Sequence, residues 1–175
     1  MAASPVVVGW KEYLDLPELG IARLKAKVDT GARTSSLHVT GLRVVADHGD
    51  GSGEVELTVP LSRRDPTRSV TARARLLRHV RVTDSGGRGE VRPVIETELV
   101  LGPVRKRILL TLTDRGDMLF RMLLGRKALE GDFLVDVSRR YALRSWHPAP
   151  ERHRPPRRPP GVTSTPGTST PGGSR

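Results

Sequence analysis

The chain has no cysteine. That absence excludes a disulfide framework and any thiolate metal site, and it suits a reducing compartment. Long apolar runs are missing as well. No stretch approaches the roughly 18 residues that a membrane-crossing helix needs. The N-terminus, Met1-Ala2-Ala3-Ser4-Pro5, lacks the basic segment and apolar run of a secretory leader. A soluble, cytoplasmic protein with no membrane partner is expected. Aromatic residues are scarce: Trp10, Tyr13, Phe120, Phe133, Tyr141 and Trp146 are the full set. They form no paired pattern on a strand on which bases would stack. Acidic residues are the minority, 19 Asp and Glu against 30 Lys and Arg, and the formal charge of +11 attracts polyanions.

A length of 175 residues suits one domain with a core of its own. From about Trp146 the chain turns to Pro and Arg, then to Gly, Ser, Thr and Pro, with almost nothing apolar to bury. Residues 147–175 are therefore expected to be a disordered tail, and residues 1–146 the folded domain. The tail holds five arginines and one glutamate, so the domain alone keeps a charge of about +7.

The domain is rich in Val, Leu and Thr and is cut into short runs by Gly, Pro and Asp, the pattern of an all-β fold. Val6 to Trp10 reads as a first strand, and Ala22 to Val28 alternates as a half-buried strand does before it runs into Asp29. Leu37 to Ala46 and Val55 to Leu61 flank the turn-forming run Asp47 to Gly53, a first hairpin. Val70 to Val82 and Glu90 to Leu101 flank Asp84 to Gly89, a second, glycine-tipped hairpin in which Pro93 implies an edge or a bulge. Strands follow at Lys106 to Thr113 and Met118 to Leu124. A short helix is expected over Arg126 to Leu129, then a strand at Phe133 to Val137 and a last one near Tyr141.

Val28-Asp29-Thr30-Gly31-Ala32 puts a carboxylate at the end of an apolar strand, followed by a hydroxyl, a residue without Cβ and a small residue. Thr30 can hydrogen-bond across a dimer axis, Gly31 lets the backbone approach the carboxylate, and Ala32 leaves a cleft open. Two such loops would bring two aspartates together. Like charges that close cannot both ionise, so the pair shares one proton; one member activates water while the other protonates the carbonyl. Asp-Thr-Gly also occurs as a plain turn. What adds weight is Met122-Leu123-Leu124-Gly125-Arg126, placed later in the chain.

With that pair of segments the chain resembles retropepsin-like aspartic peptidases. The resemblance implies the acid protease fold, a closed β-barrel or sandwich with one short helix, and a homodimer with Asp29, Thr30 and Gly31 as its catalytic segment. It implies that Leu123, Leu124 and Gly125 pass through the Asp29 loop and buttress it. It also implies a flap over the cleft. Ser85, Gly86, Gly87 and Arg88, at the tip of the second hairpin, are the candidates, and the first hairpin competes for the role. Asp84-Ser85-Gly86 is not read as a second catalytic motif, because it has no buttress of its own. Arg33, Arg88, Arg92 and Arg126 would lie near the cleft. Arg33 follows Ala32 where viral retropepsins often carry an acid, so Arg126 needs another partner or faces substrate.

More narrowly, Val28 to His38, Leu110 to Arg115 and Met122 to Leu129 resemble the bacterial family often labelled putative ATP-dependent zinc proteases. Its members are associated with RimK-type ligases that add glutamates to a ribosomal protein, and the resemblance implies an acidic, glutamate-rich substrate. No cofactor is expected. His38, His48, His79, His147 and His153 form no His-Glu-x-x-His pair for zinc, and no Gly-x-x-x-x-Gly-Lys loop offers a phosphate site for ATP. Two other readings compete: a basic β-barrel that binds nucleic acid or the ribosome, and a catalytically silent peptide-binding module.

Overall fold

The computed structural model describes residues 4–65, 67–83, 87, 89–114, 116 and 119–146. Its strands are β1 (Val6–Gly9), β2 (Lys11–Leu16), β3 (Ile21–Asp29), β4 (Ser35–His38), β5 (Gly41–Asp47), β6 (Gly53–Pro60), β7 (Ser69–Thr83), β8 (Gly89–Leu101), β9 (Val104–Thr113), β10 (Met122–Gly125) and β11 (Phe133–Asp136). A single helical turn, α1 (Arg126–Leu129), follows β10 where the short helix was expected. The fold is all-β. No described helix is long and apolar enough to cross a membrane.

Nine strands form one sheet in the order β2-β3-β10-β4-β9-β8-β7-β6-β5. The sheet curls until β2 meets β8 at the pair Asp15–Val100. One bridge is all that closes it, so the fold is a curled sheet rather than the closed barrel the resemblance implied. Its concave side is filled by Leu14, Leu16, Ile21, Leu24, Leu37, Leu99, Leu110 and Met122, all at or below 1% exposure. Each fully buried side chain of this kind contributes about 1.5–3 kcal/mol. Outside this sheet, β1 and β11 pair in parallel as a two-stranded ribbon, with Val7 opposite Leu134.

Four expectations change, the first being the strand expected from Met118 to Leu124, which among the described residues begins only at Met122. Lys11–Leu16 forms a strand that the sequence concealed, because its inward position 12 is a glutamate. The buried Glu12 carboxylate accepts the N–H groups of Gly9 and Ala142, both at 2.7 Å, and that of Leu143 at 3.3 Å. Leu37 to Ala46 divides into β4 and β5, since the Thr40 N–H turns away to bond Thr58 at 2.9 Å. No strand forms at Tyr141, whose φ of +53° is outside the extended region. Its ring stacks on Tyr13 with centroids 4.8 Å apart.

Both hairpins are present. In the second, β7 pairs antiparallel with β8 from Leu76–Ile95 out to Thr83–Gly89, with a bulge between Leu76 and Arg78. The pairing of β8 with β9 starts only at Val94, so Pro93 sits at a local edge where its missing N–H costs no ladder bond. Beyond the bulge this hairpin leaves the body of the sheet: from residue 77 to 83, β7 buries no side chain.

Candidate active site

Asp29 is the last residue of β3 and stands half-buried after the buried Val28. Its Oδ1 accepts the N–H groups of Gly31 at 3.1 Å and Ala32 at 3.2 Å. The turn thus folds back on the carboxylate and fixes its orientation. A Cβ on Gly31 would lie 3.3 Å from that same Oδ1, a tight contact that a residue without Cβ avoids. Among the described residues, Oδ2 accepts no hydrogen bond.

The loop is held by a strand that passes between its two arms. On one side β10 runs parallel to β3, with Leu124 opposite Val28 and Gly125 opposite Asp29. On the other it runs antiparallel to β4, with Met122 opposite Leu37 and Leu123 opposite Ser36. Gly125 makes this crossing possible: a Cβ there would sit 2.7 Å from the Thr34 carbonyl carbon and 2.8 Å from its oxygen. Its N–H donates to the buried Ser35 Oγ at 3.0 Å. The first turn of α1 then closes the loop, as Arg126 N–H donates to Ala32 O at 2.9 Å and Lys127 N–H to Arg33 O at 3.0 Å. An Asp-Thr-Gly turn threaded by an apolar-apolar-Gly strand is the arrangement that the resemblance implied.

A family model described as RimB-like, the retropepsin-like aspartic endopeptidase RimB, matches residues 7–145. The chain belongs to this family. Among its relatives, a probable alpha-L-glutamate ligase of Shewanella pealeana is 35% identical over 144 residues, 82% of this chain and 31% of that protein. A probable alpha-L-glutamate ligase of Parasynechococcus marenigrum is 39% identical over 131 residues, 75% of this chain and 28% of that protein. The chain therefore spans about a third of the length of these relatives. A crystal structure of a Legionella pneumophila protein of unknown function is 26% identical, with a TM-score of 0.65, and the match covers 80% of this chain and 99% of that one.

Beside the Asp29 loop of this RimB-like domain opens a cleft of about 840 Å³. Gly31, Ala32, Thr34 and Leu123 line it from the loop and its buttress, and Val80, Val82 and Thr83 from the outer arm of the β7–β8 hairpin. Among the described residues its charged lining is wholly cationic: Arg33, Arg78, Arg81, Arg92, Arg107 and Lys127. Three of these are already paired. Buried Arg92 donates to Glu90 at 2.8 Å, Arg107 binds Glu18 and also Glu96 at 3.1 Å, and Lys127 binds Glu130 at 2.9 Å. No described carboxylate lies within ion-pair distance of Arg33, Arg78 or Arg81.

Of the residues singled out in the sequence, Gly31, Ala32, Arg33, Arg92 and Leu123 meet at this cleft, with Asp29 at the base of the loop that enters it. Exposed Arg126 stands beside the cleft rather than in its wall. Its charge, with that of Arg33, helps the Lys127 hydrogen bond hold the Glu130 carboxyl below the usual range. Ser85, Gly86 and Arg88 lie outside the described residues; Gly87, described, has the left-handed φ of +80° that favours glycine in a tight tip. Residues 47–53 of the competing hairpin do not line the cleft. Sequence reasoning missed Ser35, Arg78, Arg81, Arg107 and Lys127. Among the described residues no three His, Asp or Glu side chains come together as a metal site.

Proposed function

We propose that this chain is an aspartic endopeptidase that works as a homodimer and cuts acidic, glutamate-rich protein tails in the cytoplasm. The observation that carries it is the Asp29 loop, threaded by β10 and opening on a cleft. The described residues contain one such loop, and this reading takes the second carboxylate from a second copy. With both in place, the pair holds one proton between them. The ionised member takes a proton from water as it attacks the peptide carbonyl, the protonated member donates to the carbonyl oxygen, and collapse sends a proton to the leaving amine.

Four observations support the dimer and the substrate. The β1–β11 ribbon turns an apolar strip outward, Val7 at 40% and its partner Leu134 at 58% exposure, and this suits a second copy. The β7–β8 hairpin, thinly packed beyond its bulge and lining the cleft with its outer arm, suits a flap that excludes water from bound peptide. The cationic lining suits carboxylate side chains, which arginine meets with two parallel hydrogen bonds. Relatives bearing the name of glutamate ligases point to the same chemistry, a glutamate chain that one activity builds and this one removes.

The test compares hydrolysis of an oligoglutamate with that of an oligoglutamine of equal length, at low and high salt. Wild type is expected to prefer oligoglutamate, with a preference that weakens as salt screens the cleft. Asp29→Asn is expected to fold and to cleave neither. Mixed in excess with wild type under exchange, it should suppress activity below simple dilution, because mixed pairs hold one carboxylate. A folded Asp29→Asn protein with unchanged turnover overturns the mechanism. Equal cleavage of both peptides at all salt concentrations overturns the substrate.

A further inference from the structure

A second cavity, of about 580 Å³, shares no lining residue with the cleft. It opens by Arg121, which immediately precedes β10, where that strand's Met122 pairs with Ala26 of β3. Gly125 and Asp29 mark the opposite end of the same strand pair. Arg121, 7% exposed, lines this cavity together with Lys25, Arg63 and Arg64, while Phe120 and Leu61 supply an apolar wall. No described carboxylate lines it.

Arg121 is the informative residue. Its Nε is buried and has no hydrogen-bond partner among the described residues, and no described carboxylate pairs with it. Burial first, and the neighbouring Arg63 charge second, hold its guanidinium below the usual arginine range. A guanidinium does not escape by losing its proton. Buried charge without a counter-ion is costly, and a ligand that supplied the partner would relieve that cost. Arg63 and Arg64, close in sequence to each other and exposed, can swing onto such a ligand.

We propose that this cavity binds a phosphorylated small molecule, its phosphate held by Arg121, Arg63, Arg64 and Lys25 and its organic part lying against Phe120 and Leu61. A phosphate is favoured over a single carboxylate on charge and on geometry. It brings close to two negative charges and three acceptor oxygens to a site with four cations, whereas a carboxylate brings one charge and two oxygens. The volume exceeds what a bare phosphate needs, and the Phe120 wall gives the remaining space an apolar side.

Calorimetric titration of the full chain with phenyl phosphate, inorganic phosphate and an oligoglutamate, at one ionic strength set with chloride, tests this. Phenyl phosphate should bind saturably and more tightly than inorganic phosphate. Arg121→Gln should weaken it by about tenfold or more, the effect of losing one charged hydrogen bond. The double variant Arg63→Gln/Arg64→Gln changes exposed residues only, so it keeps the fold and should also weaken binding. Arg33→Gln, in the other cleft, should not. Absence of saturable binding overturns the proposal, as does binding that both the Arg121 and the Arg63/Arg64 variants leave intact. Oligoglutamate that competes with phenyl phosphate at equal affinity, in an Arg121-dependent way, also overturns it and makes the cavity a carboxylate site.

Discussion

Gly125→Ala isolates the close approach on which the Asp29 loop depends. The backbone at Gly125, φ −81° and ψ 170°, is open to any residue, so conformation adds no cost. Space does. The new methyl would lie 2.7 Å from Thr34 C, 2.8 Å from Thr34 O and 3.0 Å from Ser35 N. All three are backbone atoms that no rotamer change can move aside. Relief requires β10 to draw away from the start of β4, which strains the packing by about 1–3 kcal/mol. It also loosens the buried bond from Gly125 N–H to Ser35 Oγ, at 3.0 Å. An N–H left unsatisfied there costs about 1–3 kcal/mol. The two effects share one displacement, so a total of about 2–4 kcal/mol is expected, or a fall in Tm of about 5–15 °C for a chain of this size. Urea titration with an unchanged slope measures it. Gly116→Ala is the control: its Cβ meets nothing within 4 Å, and stability should hold or rise slightly. Hydrolysis, measured where both proteins are fully folded, should fall beyond any loss of folded protein, because Thr34 moves and Asp29 moves with it. A loss of stability below about 0.5 kcal/mol, with activity intact, refutes the buttress argument.

Glu12→Gln replaces one of two acceptor oxygens with a donor facing the Leu143 N–H. A loss of about 1.5–3 kcal/mol in chemical denaturation is expected, and less than about 0.5 refutes the anchor. Glu18 is held below its ordinary pKa of 4.5, first by its hydrogen bond to Arg107. A depressed carboxyl stabilises the fold above its unfolded pKa and loses that effect as pH falls through the folded value. The stability gap between wild type and Glu18→Gln should be full above pH 4.5 and vanish in stronger acid, and a gap that persists at about pH 2 refutes it. Truncation after Trp146 should leave the melting transition unchanged, because the Pro, Gly, Ser and Thr that follow offer little to offset ordering entropy; a marked drop shows that the tail docks on the domain.

The loop and its buttress were legible because their residue types are demanded one at a time. A carboxylate must end β3, a residue without Cβ must follow where the chain folds back, and another must sit where β10 crosses Thr34. A side chain at either glycine crowds its neighbours, so the letters themselves carry the geometry. β2 was illegible for the opposite reason. Its inward positions are Glu12, Leu14 and Leu16, and a glutamate at the first breaks the apolar period although backbone donors from neighbouring Gly9 and from distant Ala142 and Leu143 satisfy it. At Tyr141 an aromatic residue invited a strand by propensity, but the left-handed turn that stacks it on Tyr13 overrode the preference.

The charge of the cleft escaped the sequence on other grounds. Along β7 the arginines are Arg73, Arg75, Arg78 and Arg81, and each alone reads as a solvated strand position. Curvature separates them: Arg73 lies by Glu56 at 3.5 Å on the outer sheet, whereas Arg78 and Arg81, beyond the bulge, reach the cleft. Arg107 and Lys127 arrive from β9 and α1, which share no period with β7. Counting cations therefore overstates the field a substrate meets. Arg92, Arg107 and Lys127 are neutralised by Glu90, Glu18, Glu96 and Glu130 before any ligand arrives. Arg33, at the loop, and Arg78 and Arg81, on the hairpin, carry the remaining charge. An acidic chain lying between loop and hairpin would be gripped from both sides. Closure of the hairpin and recognition of carboxylates would then be one event, and salt should weaken the two together.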